Sequence, residues 1–152
     1  MGEVRVKVRL TNASDEALAR RGQLPGDQVR SYEADALVDT GAVSLIIPAR
    51  VMQQLGLMTH YQRTVTYADG RRERVGVAEP VIVQIDGGTT SEDALVLGDE
   101  VLVGQTVLEK LDLVVDSLNR RVMPNPAHPE GPVVNVKRIS QAPFLLSMPA
   151  GR

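Results

Sequence analysis

The chain has 152 residues, a formal net charge of −2 and no cysteine. That length bounds one compact domain with a real core, and the charge supplies no long-range pull toward nucleic acid or an anionic membrane. The missing cysteines exclude disulfides, thiolate metal sites and cysteine nucleophiles.

Hydrophobic residues make up 43% of the chain and charged ones 24%, the balance of a globular domain. Its core must be aliphatic, because the aromatic side chains are only Tyr32, Tyr61, Tyr67 and Phe144. The first residues alternate in charge and lack the apolar run of a signal peptide, and no later segment is long enough to span a bilayer. A cytoplasmic location is the expectation.

Val4, Val6, Val8 and Leu10 alternate with Glu3, Arg5, Lys7 and Arg9, the period of a strand with one wet face. From 11 to 30 the pattern dissolves around Gly22, Pro25 and Gly26 into a long surface loop with a helical turn near 14–20. Residues 31–38 return to strand, and a second strand follows at Leu45, Ile46 and Ile47. Pro48 suits the first turn of a helix with Val51, Met52 and Leu55 on one face, closed by Gly56.

Strands are expected at 64–67 and 74–85, joined by a hairpin at Asp69-Gly70, with a second tight turn at Asp86-Gly87-Gly88. Short buried strands follow at 95–97, 101–103 and 113–115, with a brief helix at 105–111. The basic clusters at 71–74 and 120–121 read as solvated strand edges, which charge protects from unwanted pairing. Beyond residue 123 the composition shifts, with six of the nine prolines in the last 29 residues. Residues 1–123 therefore read as the domain and 124–152 as an extended or partly disordered tail, with an edge strand at 133–136 or a docking segment at Phe144-Leu145-Leu146 as its options.

An internal repeat underlies this order. The apolar positions of residues 51–57 recur at 107–113, and the same 56-residue offset lays Leu45-Ile46-Ile47-Pro48 over Val101-Leu102-Val103-Gly104. Each half would hold a strand feeding a short helix. The offset sets Leu95-Val96-Leu97 where the first half has Asp39-Thr40-Gly41, so the second half carries no acid of its own there.

Asp39 ends an apolar strand and precedes another. Asp, Thr and Gly all suit turns, but the second strand follows too closely for this acid simply to face bulk water. The only histidines are His60 and His128, so no two-histidine metal spacing exists and each reads as an ordinary surface residue. A subtilisin-like reading of Asp-Thr-Gly needs histidine and serine motifs that do not occur, and no phosphate-loop glycine pattern is present. An acid that works without histidine, cysteine or metal needs a second acid, since one carboxyl must give a proton while the other takes one.

Leu37-Val38-Asp39-Thr40-Gly41-Ala42, then Leu45-Ile46-Ile47-Pro48, Tyr67-Ala68-Asp69-Gly70, and Leu102-Val103-Gly104 leading into Leu108-Glu109-Lys110-Leu111 follow one another in order. Together they resemble the retropepsin-like (retroviral-type) aspartic proteases, particularly small bacterial and cyanobacterial members. The resemblance spans about residues 4–125 and leaves the tail unexplained.

It implies an all-β fold, a closed barrel or sandwich with one or two short helices, and an active site at a homodimer interface where each chain supplies Asp39. It further implies that Thr40 braces the paired loops, that Gly41 lets backbone approach the carboxylate, and that Ala42 lies beside the substrate. Tyr67, Ala68, Asp69 and Gly70 would form a flap over an extended peptide. Asp99 is rejected as a second acid because Glu100 and Val101 follow it rather than Thr-Gly. The long 11–30 segment and the tail put in question where the dimer interface lies. The expected function is peptide-bond hydrolysis at acidic or near-neutral pH without metal or cofactor, the partners being a second copy and a peptide or protein substrate, with no nucleic acid and no membrane. The alternatives are a non-catalytic peptide- or protein-binding module and a structural dimerisation domain whose tail recruits partners.

Overall fold

The computed structural model describes residues 2–136. Alternation of Val6, Val8 and Leu10 with Arg5, Lys7 and Arg9 produces strand β1 (Arg5–Asn12), which pairs antiparallel with β2 (Ser31–Val38) from Arg5↔Leu37 to Thr11↔Ser31. After β3 (Leu45–Ile47) and helix α2 (Ala49–Gln54) come β4 (Thr59–Thr66), β5 (Arg72–Ile85) and β6 (Gly88–Val96). The chain continues through β7 (Leu102–Val103), helix α3 (Gln105–Lys110) and a hairpin of β8 (Leu113–Asp116) with β9 (Arg121–Pro124). Helix α1 (Ala13–Arg20) completes the set.

Six strands close a ring in the order β1-β2-β7-β3-β6-β5, sealed by the β1–β5 pairing, and β4 hangs on β5 outside it. Closure leaves a ring strand no free edge to manage. Strand β5 makes this possible by changing partner along one edge: its first part pairs with β4 as far as Ala78, and Val81 onward pairs with β1. Pro80, which cannot donate to a ladder, stands in the irregularity between those stretches. The Asp86-Gly87 turn has both residues at positive φ (50° and 86°), the geometry that matches the twist of a tight hairpin.

The core inside the ring is aliphatic, with Leu10, Leu45, Ile47, Val81, Val83 and Val103 fully buried, and with Val51, Leu55 and Val107 of the two helical segments packed against them. Burying one such side chain stabilises the fold by about 1.5–3 kcal/mol.

Strand β4 starts at Thr59 rather than at the expected residue 64, and the structure departs from the expected elements in four further places. Residues 13–20 form a complete helix rather than a loop with one helical turn. Asn12 caps it through Asp15 N (3.0 Å), and its amide donates to Leu55 O (2.7 Å). The buried Asp15 accepts both Nε (2.8 Å) and Nη2 (2.9 Å) of Arg30, which ties the far end of the segment to the barrel. Strand β6 runs from Gly88, far before the expected residue 95, because Thr89 and Ser91 pair with β5 without any apolar alternation to announce them. Strand β9 was unforeseen. Residues 133–136 form no strand; instead Val133 N donates to Asp112 Oδ2 (2.9 Å), beside bonds to Asp112 from Asn125 Nδ2 and His128 Nδ1. His128 is thus half-buried in a clasp rather than an ordinary surface residue. Phe144-Leu145-Leu146 lie outside the described residues.

The internal repeat is present in three dimensions. Strand β2 runs parallel to β7, β6 runs parallel to β3, and β3 crosses β7 antiparallel at Ile46↔Leu102. Asp39 N donates to Val103 O (3.0 Å), and Leu97 N donates to Ile47 O (3.1 Å). The counterpart of Asp39 is therefore Leu97, not Leu95 as a constant offset implied, because the stretch from Val96 to Val103 is two residues shorter than the equivalent stretch from Val38 to Ile47.

Candidate active site

Strand β2 carries Leu37 and Val38 alongside β7 and delivers Asp39 to the mouth of the barrel, where it is exposed. The loop then folds back on its own acid. Gly41 N donates to Asp39 Oδ1 (2.9 Å) and Ala42 N donates to Asp39 O (3.1 Å), which fixes the carboxylate without covering it. A Cβ at Gly41 would stand 3.2 Å from that same Oδ1, tight against the group it positions.

The opposite side of the loop rests on the β7–α3 junction. Gln105 N donates to Ala42 O (2.8 Å) and Thr106 N to Val43 O (3.1 Å). A Cβ at Gly104 would lie 2.5 Å from Ser44 O and 2.7 Å from Ala42 O, so only glycine permits this approach of backbone to backbone. Gly104 and Leu97 are the site residues that motif reading passed over. Gly104 ended a noted Leu-Val-Gly element, whereas Leu97 becomes visible as the partner of Asp39 only through the strand pairings.

Asp39 opens onto a cleft of about 1200 Å³. Its floor is apolar, made by Ile46, Val77, Leu95, Leu97 and Leu102, and one wall is the β4–β5 hairpin through Tyr61, Val65, Tyr67 and Ala68. Tyr61 OH donates to Asp93 Oδ2 (2.9 Å), and the buried Glu92 is neutralised by Lys110 (2.8 Å).

Of the residues expected to form the site, Asp39, Gly41, Ala42, Tyr67 and Ala68 border this one cleft. Thr40 is exposed beside Asp39, and Asp69 and Gly70 stand at the hairpin tip outside the cleft lining. At that tip Gly70 has φ +88°, and its N donates to Tyr67 O (2.9 Å). Among the described residues no three His, Cys, Asp or Glu side chains converge as a metal cage, and no helix is long and apolar enough to cross a membrane.

The arrangement can hold an extended peptide along the apolar floor and present one carboxylate to it. A single chain supplies no second acid where the pseudo-twofold would place one, because Leu97 occupies that position.

A solved structure shares this architecture. The retroviral protease-like domain of Ddi1 from Leishmania major superposes with a TM-score of 0.50 at 14% identity, covering 83% of this chain and 90% of that one. The protease of simian foamy virus (mac) superposes with a TM-score of 0.43 at 11% identity, covering 68% of this chain and 90% of that one. No curated protein matches the sequence. The family described as "gag-polyprotein putative aspartyl protease" matches residues 27–116, a span that contains Asp39, the hairpin and the β7–α3 junction. With most of its length inside that match, the chain belongs to the retropepsin-like aspartic protease family.

Proposed function

We propose that the chain is an aspartic endopeptidase that works as a homodimer, with Asp39 of each copy forming the catalytic dyad. One observation carries the reading: an exposed, backbone-fixed Asp39 at the head of a peptide-sized cleft with an apolar floor, with Leu97 at its internal counterpart. The second acid must then come from a second copy. Val43, 71% exposed beside the Asp39 loop, offers apolar surface for that copy to cover.

Two carboxyls at close range cannot both ionise easily, so the pair shares one proton. The ionised carboxyl takes a proton from water as its oxygen bonds to the peptide carbonyl carbon, and the protonated carboxyl donates to the carbonyl oxygen. Collapse of the tetrahedral intermediate breaks the C–N bond, with a proton passing to the leaving amine. Thr40 would brace the paired loops across the dimer axis, and the hairpin at 67–70 would close over the peptide and exclude water.

Hydrolysis of a random peptide library by the wild-type chain and by Asp39→Asn tests the assignment. Cleavage by wild type alone is expected, and equal cleavage by both would sink the dyad. Specific activity should also fall on dilution as dimers separate. A non-catalytic peptide-binding module is the second reading, favoured by a cleft floor whose apolar residues would hold a peptide without any use of Asp39.

A further inference from the structure

The tip of the β4–β5 hairpin carries charges that the chemistry above leaves unused. Tyr67 OH donates to Glu73 Oε1 (2.5 Å), the Arg71 guanidinium carbon lies 4.3 Å from the centre of the Tyr67 ring, and Arg71 Nε stands 3.3 Å from Asp69 Oδ2. Backbone bonds bracket the same residue: Tyr67 N donates to Arg71 O (2.8 Å) and Gly70 N to Tyr67 O (2.9 Å). A hairpin turn needs only the backbone pair. The additional contacts fix the ring at its face and at its hydroxyl, in a stretch where Thr66, Ala68, Asp69 and Gly70 are all exposed. That ring borders the cleft containing Asp39, whereas Arg71 and Glu73 do not reach the cleft lining.

We infer that Arg71 and Glu73 are positioning residues that hold the Tyr67 ring as a preset wall of the peptide cleft. The inference rests on the cleft being the peptide-binding site, and not on bond cleavage. Ordering a side chain at a binding surface costs affinity when it happens on binding. Here the ordering is complete in the free chain, so a peptide meets a formed surface. Losing the latch should weaken binding, because the ring must then be ordered as the peptide binds.

The test uses the full chain carrying Asp39→Asn, so that binding is read without turnover, and a pool of fluorescein-labelled octapeptides rich in Leu, Val and Phe. Tyr67→Phe, Arg71→Ala and Glu73→Ala should each raise the Kd about fivefold. The double change Tyr67→Phe with Glu73→Ala should be no weaker than either alone, since both remove one bond. Glu73→Gln, which keeps an acceptor, should recover most of the affinity. Additive effects would overturn the inference, as would unchanged Kd in Arg71→Ala and Glu73→Ala alongside weak binding by Tyr67→Ala. Amide exchange at Tyr67 and Gly70 reads the latch with no peptide present: faster exchange in Glu73→Ala is expected, and unchanged exchange overturns it. Should the wild-type chain cleave nothing yet peptide binding follow this pattern, the protease reading fails and the latch stands. Should no peptide bind even with the latch intact, the inference is overturned.

Discussion

Asp39 owes its position to the backbone rather than to other side chains: the amides of Gly41, Gln105 and Thr106, the carbonyl of Val103, and the missing side chain of Gly104. A Gly104→Ala change drives a methyl group into the carbonyls of Ala42 and Ser44, and the loop carrying the acid must yield. The expected cost is about 1–3 kcal/mol of stability from overpacking, read as a lower Tm, with peptide hydrolysis falling further than the loss of folded chain explains. Unchanged hydrolysis per folded molecule would show that the loop tolerates the shift. A second expectation concerns Tyr67, whose phenol is raised above its ordinary value chiefly by the bond to Glu73. A raised pKa means that the neutral phenol favours the folded hairpin below the unfolded pKa and that this contribution is lost as pH rises through the folded one. Ultraviolet titration should find one tyrosine ionising at lower pH in Glu73→Ala than in wild type.

At the scale of elements, the most consequential addition to a bare barrel is the α1 segment, stapled by Asp15 and Arg30. The side-chain bonds from Arg30 hold the Asp15 carboxyl below the usual carboxylate range. Its stabilising contribution is present above the unfolded pKa and is lost as pH falls through the depressed folded value. Asp15→Asn should therefore cost about 1–3 kcal/mol at neutral pH, the cost of breaking a pair whose acid is buried and whose arginine is half in water. The Tm gap between variant and wild type should narrow below about pH 4. A gap that stays constant with pH would assign the loss to packing rather than to the charge.

Legibility at this scale follows from how each element is stabilised. Strand β1 shows in its alternation, and the β4–β5 hairpin shows in Asp69-Gly70, because in both the local preference agrees with the final pairing. Strand β6 did not show, since Thr89, Ser91 and Asp93 on its outer face are polar and Glu92 on its inner face is admitted only by Lys110 from α3. Helix α1 was obscured because its stability lies in Asn12, Asp15 and Arg30, polar residues whose meaning depends on partners distant in sequence. The site divides the same way. Asp39 was legible from its motif, whereas the Arg71 and Glu73 contacts read as edge charges until the hairpin brought them onto Tyr67.

At the scale of the whole molecule, the internal twofold sets Leu97 rather than an acid opposite Asp39, and the closed ring leaves one cleft open beside that acid. Two copies are therefore the smallest unit in which the proposed chemistry is complete. Mixing the wild-type chain with Asp39→Asn at constant total concentration tests this most directly, because random pairing leaves only wild-type pairs with both acids. An equal mixture should retain about one quarter of the wild-type activity, the activity falling as the square of the wild-type fraction. Activity falling in direct proportion to that fraction, with about one half retained at equal mixing, would contradict a dyad shared between copies.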